Sequence, residues 1–276
     1  DDDGLWSITE LPAGEYVIFF PDEEGAVGQW AGGVSAATAQ RWTVPQGGSV
    51  TADVQLLALA TIEGDVTDAS GHPAVDGCVS AYRSPSVSYV GYACADPLGH
   101  FSIDVLPGEY LLRYEDFVDQ SATPLPAVWN GGGATWNGAP AIAVDTSAAG
   151  DGSIQLEGLG AVVTLNPLVD LGDPAGTAPA TGGCVDAVSA DGWYAGSACD
   201  RGLGVVTFSL PPGDYKFSAS GFVYDQSWDI QKYPIDLGNA WVANTWSGGS
   251  LFFDEAEWVT VPNSGAIMET LSLVPG

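Results

Sequence analysis

A single corner returns about every hundred residues along the chain: LPAGEY at 11–16, LPGEY at 106–110 and LPPGDY at 210–215. Proline presets φ for a tight turn, and glycine tolerates the positive φ that other residues avoid. The leucine before the corner and the tyrosine after it read as the last and first core residues of two strands. A recurrent corner implies a recurrent unit, so repeats come before any other assignment.

Other landmarks fall into register on the corner. GLWSITEL, GHFSIDVL and GVVTFSL run into it with strand-like alternation. Asp1, Asp96 and Asp200 each stand ten residues before the corner leucine. After it, Tyr16, Ile18 and Phe20 match Tyr110, Leu112 and Tyr114, and Tyr215, Phe217 and Ala219, as period-two sets facing a core. A W-x-G-G stretch follows in each repeat, from Trp30, Trp129 and Trp246. Closing strands end at Leu56, Leu156 and Leu273, each twelve residues after Val44, Val144 and Val261.

The expected fold is all-β: tandem antiparallel β-sandwiches, with 37 Gly and 18 Pro favouring short strands and many turns. The boundaries read as 1–59 for a partial sandwich, 60–158 for a complete one, and 159–276 for one carrying an inserted loop at about 222–243. The closing strand of one repeat runs almost directly into the next, as QLLALATIEG shows, which predicts neighbours held at a fixed angle in a stiff rod.

Repeats two and three carry a front half that repeat one lacks. Trp6, Ile8, Tyr16, Ile18 and Phe20 are therefore expected to face an open half-core. Leaving such side chains in water costs roughly 1.5–3 kcal/mol each. The cover would be upstream strands of a longer polypeptide, strands donated by another copy, or repeat two folding back.

Four cysteines allow three pairings, and the repeat selects among them: Cys78 with Cys94 and Cys184 with Cys199, one bridge per front half. A zinc site is not expected without a C-x-x-C pair, and no metal or cofactor is predicted. Internal disulfides place the chain in an oxidising compartment, extracellular or at a cell surface.

The formal charge is −29, from 35 acidic and 6 basic residues. Charged residues make up only 15% of the chain, below the roughly 25% of an ordinary globular protein, so the imbalance reflects missing Lys and Arg. Binding to a nucleic-acid backbone or an anionic membrane surface is excluded on that ground, and no apolar run is long enough to span a bilayer.

The stretch Ile62–Ala81, with Gly64, Val66, Asp68, Gly71, Pro73, Gly77 and Val79, resembles the opening of a carboxypeptidase regulatory-like domain. Asp96, Gly99, Phe101, Leu106, Pro107, Gly108 and Tyr110 continue the likeness, which covers repeat two, repeat three from Cys184, and the back half of repeat one. The resemblance implies a transthyretin-like sandwich used as an accessory module, often in tandem on secreted bacterial proteins. The zinc peptidase domain that names the family has no counterpart here. Related modules with isopeptide crosslinks need a core lysine, and Lys216 and Lys232 both lie in repeat three, so that crosslink is not expected.

No catalytic motif is present, and His72 and His100 read as turn-proximal surface residues. The acidic pairs Asp65 with Asp68 and Asp170 with Asp173 read as turn formers. The recurrent W-x-G-G tryptophan is assigned to packing. Aromatics that do not recur are the ligand candidates: Trp228, Tyr233 and Trp241, in the insertion of repeat three. The first reading is thus a non-enzymatic structural segment of a surface protein (stalk, filament or adhesin shaft), with other copies or flanking domains as partners. The alternatives are a carbohydrate-binding module acting through the insertion, with glycans as ligands, and an accessory region of a larger secreted hydrolase.

Overall fold

A computed structural model describes residues 4–21, 27–74, 77–116, 126–156, 161–170, 176–200, 202–225, 239–241 and 244–275. The chain divides into two compact units. One comprises Asp1–Ile62, Asp104–Gly108 and Val144–Gly150; the other comprises Glu63–Ile103, Glu109–Ala143 and Asp151–Gly276. The described secondary structure is strand apart from single 3-10 turns.

Repeat one contributes β1 (Gly14–Tyr16), β2 (Phe19–Phe20), β3 (Gln29–Trp30) and β4 (Trp42–Val44). β1 pairs with β4 and β2 with β3, both antiparallel. Repeat two contributes β5 (Ala60–Asp68), β6 (Gly77–Arg83), β7 (Ser88–Cys94), β8 (His100–Val105) and β9 (Gly108–Asp116). It continues with β10 (Val128–Trp129), β11 (Ile142–Val144), β12 (Gly150–Asp151) and β13 (Ile154–Leu156). Its sheets run β10-β9-β6-β7, with β11 on β9, and β12-β5-β13, with β8 on β5.

Repeat three has the same plan. It opens with β14 (Ala161–Asp170), β15 (Thr177–Thr181), β16 (Cys184–Ser189), β17 (Tyr194–Cys199), β18 (Val206–Leu210) and β19 (Gly213–Ser220). It ends with β20 (Val223–Asp225), β21 (Asn239–Trp241), β22 (Thr245–Trp246), β23 (Val259–Val261) and β24 (Gly265–Leu273). One sheet is β18-β14-β15-β20-β21 with β24 on β14; the other is β17-β16-β19-β22 with β23 on β19. Val163, Leu165, Leu210 and Leu271 of the first sheet pack with Val185, Ala187, Tyr215 and Phe217 of the second in one buried cluster. That is a sandwich core.

The fold differs from the sequence reading at three points. The pairing is not purely antiparallel, because each closing strand lies parallel to its opening strand: β13 beside β5 and β24 beside β14. The alternating segment before the first corner, residues 4–11, forms no strand, and neither does the stretch ending at Leu56. Their counterparts β18 and β24 both pair with β14, and the described part of repeat one holds no strand equivalent to β14. Alternation alone does not make a strand without a ladder to join. Third, of the corner glycines only Gly213 takes a positive φ, of 155°, while Gly14 and Gly108 do not.

The corner is fixed instead by its tyrosine. Tyr215 donates its hydroxyl to the Pro211 carbonyl at 2.8 Å, and Tyr16 makes the same 2.8 Å bond to the Pro12 carbonyl. Both disulfides form, Cys78–Cys94 across β6 and β7 and Cys184–Cys199 across β16 and β17. A glycine precedes the first cysteine of each pair because an aromatic ring lies over it: a Cβ on Gly77 would meet Tyr114 at 2.2 Å, and one on Gly183 would meet Phe222 at 2.3 Å. The aspartates at the turns serve as acceptors for the chain. Asp68 Oδ1 takes the amides of Ser70 and His72, and Asp96 Oδ1 those of Leu98 and His100.

The two tyrosine corners differ in burial, so equal hydrogen bonds should have unequal worth. Tyr215→Phe strands a buried carbonyl and should destabilise by about 1–2 kcal/mol. Tyr16→Phe, where water replaces the hydroxyl, should cost under about 0.5 kcal/mol. Burial pushes the Tyr215 phenol well above the ordinary range. Its contribution is therefore complete while both states are protonated and is lost as pH rises past about 10, where the unfolded phenol ionises first. Urea unfolding at neutral and alkaline pH should show Tyr215→Phe with a smaller loss between the two than the parent chain.

Candidate functional site: the joint between repeats two and three

A sheet strand with one face in water alternates between buried and exposed residues, as β8 does, with Phe101, Ile103 and Val105 inside and His100, Ser102 and Asp104 outside. β9 breaks that rule. Tyr110, Leu111, Leu112, Arg113 and Tyr114 are all buried, although Leu111 and Arg113 point away from the core-facing set. β6 is likewise buried on both faces from Gly77 to Tyr82. Something must cover the outer face of this sheet.

The cover comes partly from the W-x-G-G segment and partly from repeat three. Trp129 follows β9 and folds over it: the Asn130 amide donates to the Leu112 carbonyl, and Asn130 Oδ1 accepts from the Leu112 amide at 2.9 Å. Trp129 then lies against Tyr82 and Leu111 on the outer face. Onto this pair comes Trp193, from the turn between β16 and β17. Its ring centroid is 5.4 Å from that of Trp129 and 5.2 Å from that of Tyr82, edge to face in both cases. Offset and edge-on rings of this kind are worth about 0.5–1.5 kcal/mol per pair beyond the area they bury.

Polar contacts fix the register of the joint. The Arg113 guanidinium lies 5.2 Å from the Trp193 ring centre, donates to the Tyr194 carbonyl, and is paired with Glu115. The Ala127 amide donates to the Ala195 carbonyl at 3.0 Å, so the free edge of β17 is met by backbone from repeat two. The Trp136 amide donates to Asp191 at 2.9 Å. Ala134 belongs to the same buried cluster as the core of repeat three. A guanidinium so placed serves a carbonyl, a carboxylate and a ring at once through the separate N–H groups of its planar fork. Burial raises the Tyr82 phenol, and the nearby Arg113 charge opposes that shift only in part.

The residues singled out in the sequence fall elsewhere. Trp228 and Tyr233 lie outside the described residues. Trp241 ends β21, opposite Val223 of β20, so the insertion springs from a paired strand base. Trp6 and Ile8 are exposed, Tyr16, Ile18 and Phe20 are half-buried, and Trp6 meets Phe20 edge-on at 5.9 Å. Among the described residues no group of three His, Cys, Asp or Glu is placed to hold a metal ion. The assignment of the W-x-G-G tryptophan to packing is right for Trp129, but its partner lies in the next repeat as well as in its own sheet. Trp193 was the missed residue. Its one signal is that it does not recur: the matching position in repeat two is Ser88.

No family model matches the chain, and no curated protein does. Several solved structures resemble it at low identity. The Bacillus anthracis TIE protein is 10% identical with a TM-score of 0.27, over 95% of this chain and 42% of that one, so the chain spans under half its length. A minor pilin of the Gram-positive pathogen Streptococcus agalactiae is 12% identical with a TM-score of 0.33, over 78% of this chain and 96% of the pilin. The shaft pilin of Lactobacillus rhamnosus GG is 10% identical with a TM-score of 0.24, over 79% and 98%.

Truncating Trp193 removes the centre of the joint while leaving both cores intact. Trp193→Ala should destabilise by about 2–4 kcal/mol, below the roughly 3–5 kcal/mol of a fully buried tryptophan because Trp193 is only half-buried. Repeats two and three should then unfold separately, giving two transitions by calorimetry where the parent gives one.

Proposed function

We propose that the chain is a non-enzymatic structural segment of an extracellular or cell-surface protein, a spacer in a stalk, filament or adhesin shaft. The observation that carries this reading is the joint just described. Flexible tandem domains leave their outer sheet faces in water, whereas here a tryptophan, an arginine and an edge-strand hydrogen bond lock one repeat to the next. A spacer needs that property, and an independently diffusing binding module does not. The two disulfides support the placement outside the cytosol. Among the described residues no helix is long and apolar enough to cross a membrane. The acidic surface suits a structure that must stay soluble at high local concentration.

The test is a distance. Spin labels at the exposed positions Leu98→Cys and Leu203→Cys, with the labelled chain diluted into an excess of unlabelled chain, should give one narrow distance distribution, unchanged between low and high salt. Introducing Trp193→Ala should broaden it. A broad distribution in the parent would remove the spacer reading, as would failure of intact producing cells to display the chain to a membrane-impermeant label.

A second reading is glycan binding through the insertion of repeat three. The paired base of β20 and β21 favours it, because it gives the segment between them fixed ends. Flat aromatics beside carboxamides and carboxylates suit sugar rings. Glycan-array signal lost on Trp228→Ala or Trp241→Ala would establish it, and an array with no signal from the parent would discard it.

A further inference from the structure

The joint between repeats two and three has two halves, and the backbone positions of each recur elsewhere in the same compact unit, exposed among the described residues. The W-x-G-G half of repeat two comprises Trp129, Ala134 and Trp136, and the equivalent positions in repeat three are Trp246, Leu251 and Phe253. The equivalence holds in the hydrogen bonding. Asn130 links the Leu112 amide to the Pro140 carbonyl, and Ser247 links the Phe217 amide to the Glu257 carbonyl, each carbonyl ten residues on and each amide the second residue after the corner tyrosine. Phe253 packs edge-on against Trp246, their centroids 5.0 Å apart. Lys216, at the position of Leu111, is buried beneath Phe253 and Trp258.

What differs is the cover. In repeat two Trp129 is 1% exposed and Ala134 8%. In repeat three Leu251 is 50% exposed, Phe252 65% and Trp258 47%. Among the described residues these side chains form an exposed, largely aromatic end.

The edge-strand half recurs in its backbone, with Ser88 at the position of Trp193. In repeat three it is the hairpin of β16 and β17, with Tyr194 and Ala195 presenting their carbonyls to repeat two. In repeat two the matching hairpin is β6 and β7, and Tyr89 and Val90 stand at those positions. β7 is the edge of its sheet. Tyr89 and Tyr92 are 58% and 62% exposed, beside an open groove of about 420 Å³ lined also by Cys78, Ser80 and Cys94.

We propose that a second copy of this chain seats its β7 edge, with Tyr89 and Tyr92, on the Trp246, Leu251, Phe252 and Trp258 end of repeat three, repeating the internal joint between molecules. The occupant is a second copy because both open surfaces belong to one chain and correspond in backbone position to the two halves of a joint it already makes, with Tyr89 and Tyr92 supplying rings where Ser88 replaces the tryptophan of the internal joint. The two surfaces differ, so the contact is heterologous; it leaves a free surface at each end and adds copies in a row instead of closing as a dimer. The formal charge of −29 opposes the approach of like chains, while the contact itself is apolar. Added salt should therefore strengthen association by screening the repulsion. The proposal goes beyond the spacer reading, which needs only the internal joint.

Sedimentation velocity of the full chain across a range of concentration and salt tests it. The parent should form a series extending past the dimer, promoted by salt. Leu251→Asp and Tyr89→Asp alter one surface each at exposed positions, and circular dichroism verifies that each remains folded. Either variant alone should stay monomeric, and an equimolar mixture of the two should form dimers and stop there, since one intact edge meets one intact end. A parent that remains monomeric throughout overturns the proposal while leaving the spin-label test of the spacer untouched. So does association that persists in both variants, which would locate the contact elsewhere, or a mixture that forms no dimer.

Discussion

The opening strand of each sandwich holds the rest of its sheet together. In repeat three, β14 pairs with β15, β18 and β24, taking the closing strand in parallel over nine residue pairs. Because β14 sits between the strand that enters the corner and the strand that ends the repeat, both depend on it for their ladders. Repeat one shows the consequence. Its residues 4–11 have the alternation of β18, and its residues up to Leu56 match β24 in sequence, yet neither forms a strand. Among the described residues its ladders are two short pairs around the corner and the W-x-G-G segment. A backbone group buried away from water must find a partner, so a sheet lacking its central strand keeps only those pairs it can close locally.

How much of this was legible in the sequence follows from the range of each interaction. The all-β class, the corner tyrosines and the two disulfides were readable, because each rests on spacing within about twenty residues or on comparison between repeats. Cys78 and Cys94 lie sixteen residues apart on a single hairpin. The parallel pairing of β24 with β14 was not readable. It joins residues about a hundred apart, and the alternation of a strand does not record the direction of its neighbour. The strands missing from repeat one were overcalled for the same reason: period-two alternation marks a segment that could join a ladder, not one that has a ladder to join.

The joint was hidden for a different reason. Trp193, Arg113 and Ala127 come from three segments, and none is unusual where it stands. A tryptophan at a hairpin tip or an arginine in a strand has many explanations. The longest non-recurring loop, with Trp228, Tyr233 and Trp241, is a more conspicuous feature of the sequence than a short hairpin turn. The burial pattern of β9 exposes the joint, since five consecutive buried residues require cover on both faces. No sequence pattern distinguishes such a strand from one at the centre of a larger core.

Cover on both faces also explains how so acidic a chain can hold its repeats together. With 6 basic residues against 35 acidic ones, domain contacts built on ion pairs would soon exhaust the available cations. Arg113 is one of those few, and it serves the Tyr194 carbonyl, Glu115 and the Trp193 ring together. Lys216 is another, buried under Phe253 and Trp258 and donating to the Phe253 carbonyl at 2.7 Å. In both repeats a cation is spent beneath aromatic rings at the W-x-G-G end. The joint between the repeats therefore rests on rings and edge-strand backbone, with a cation used under aromatic faces instead of in a network of ion pairs.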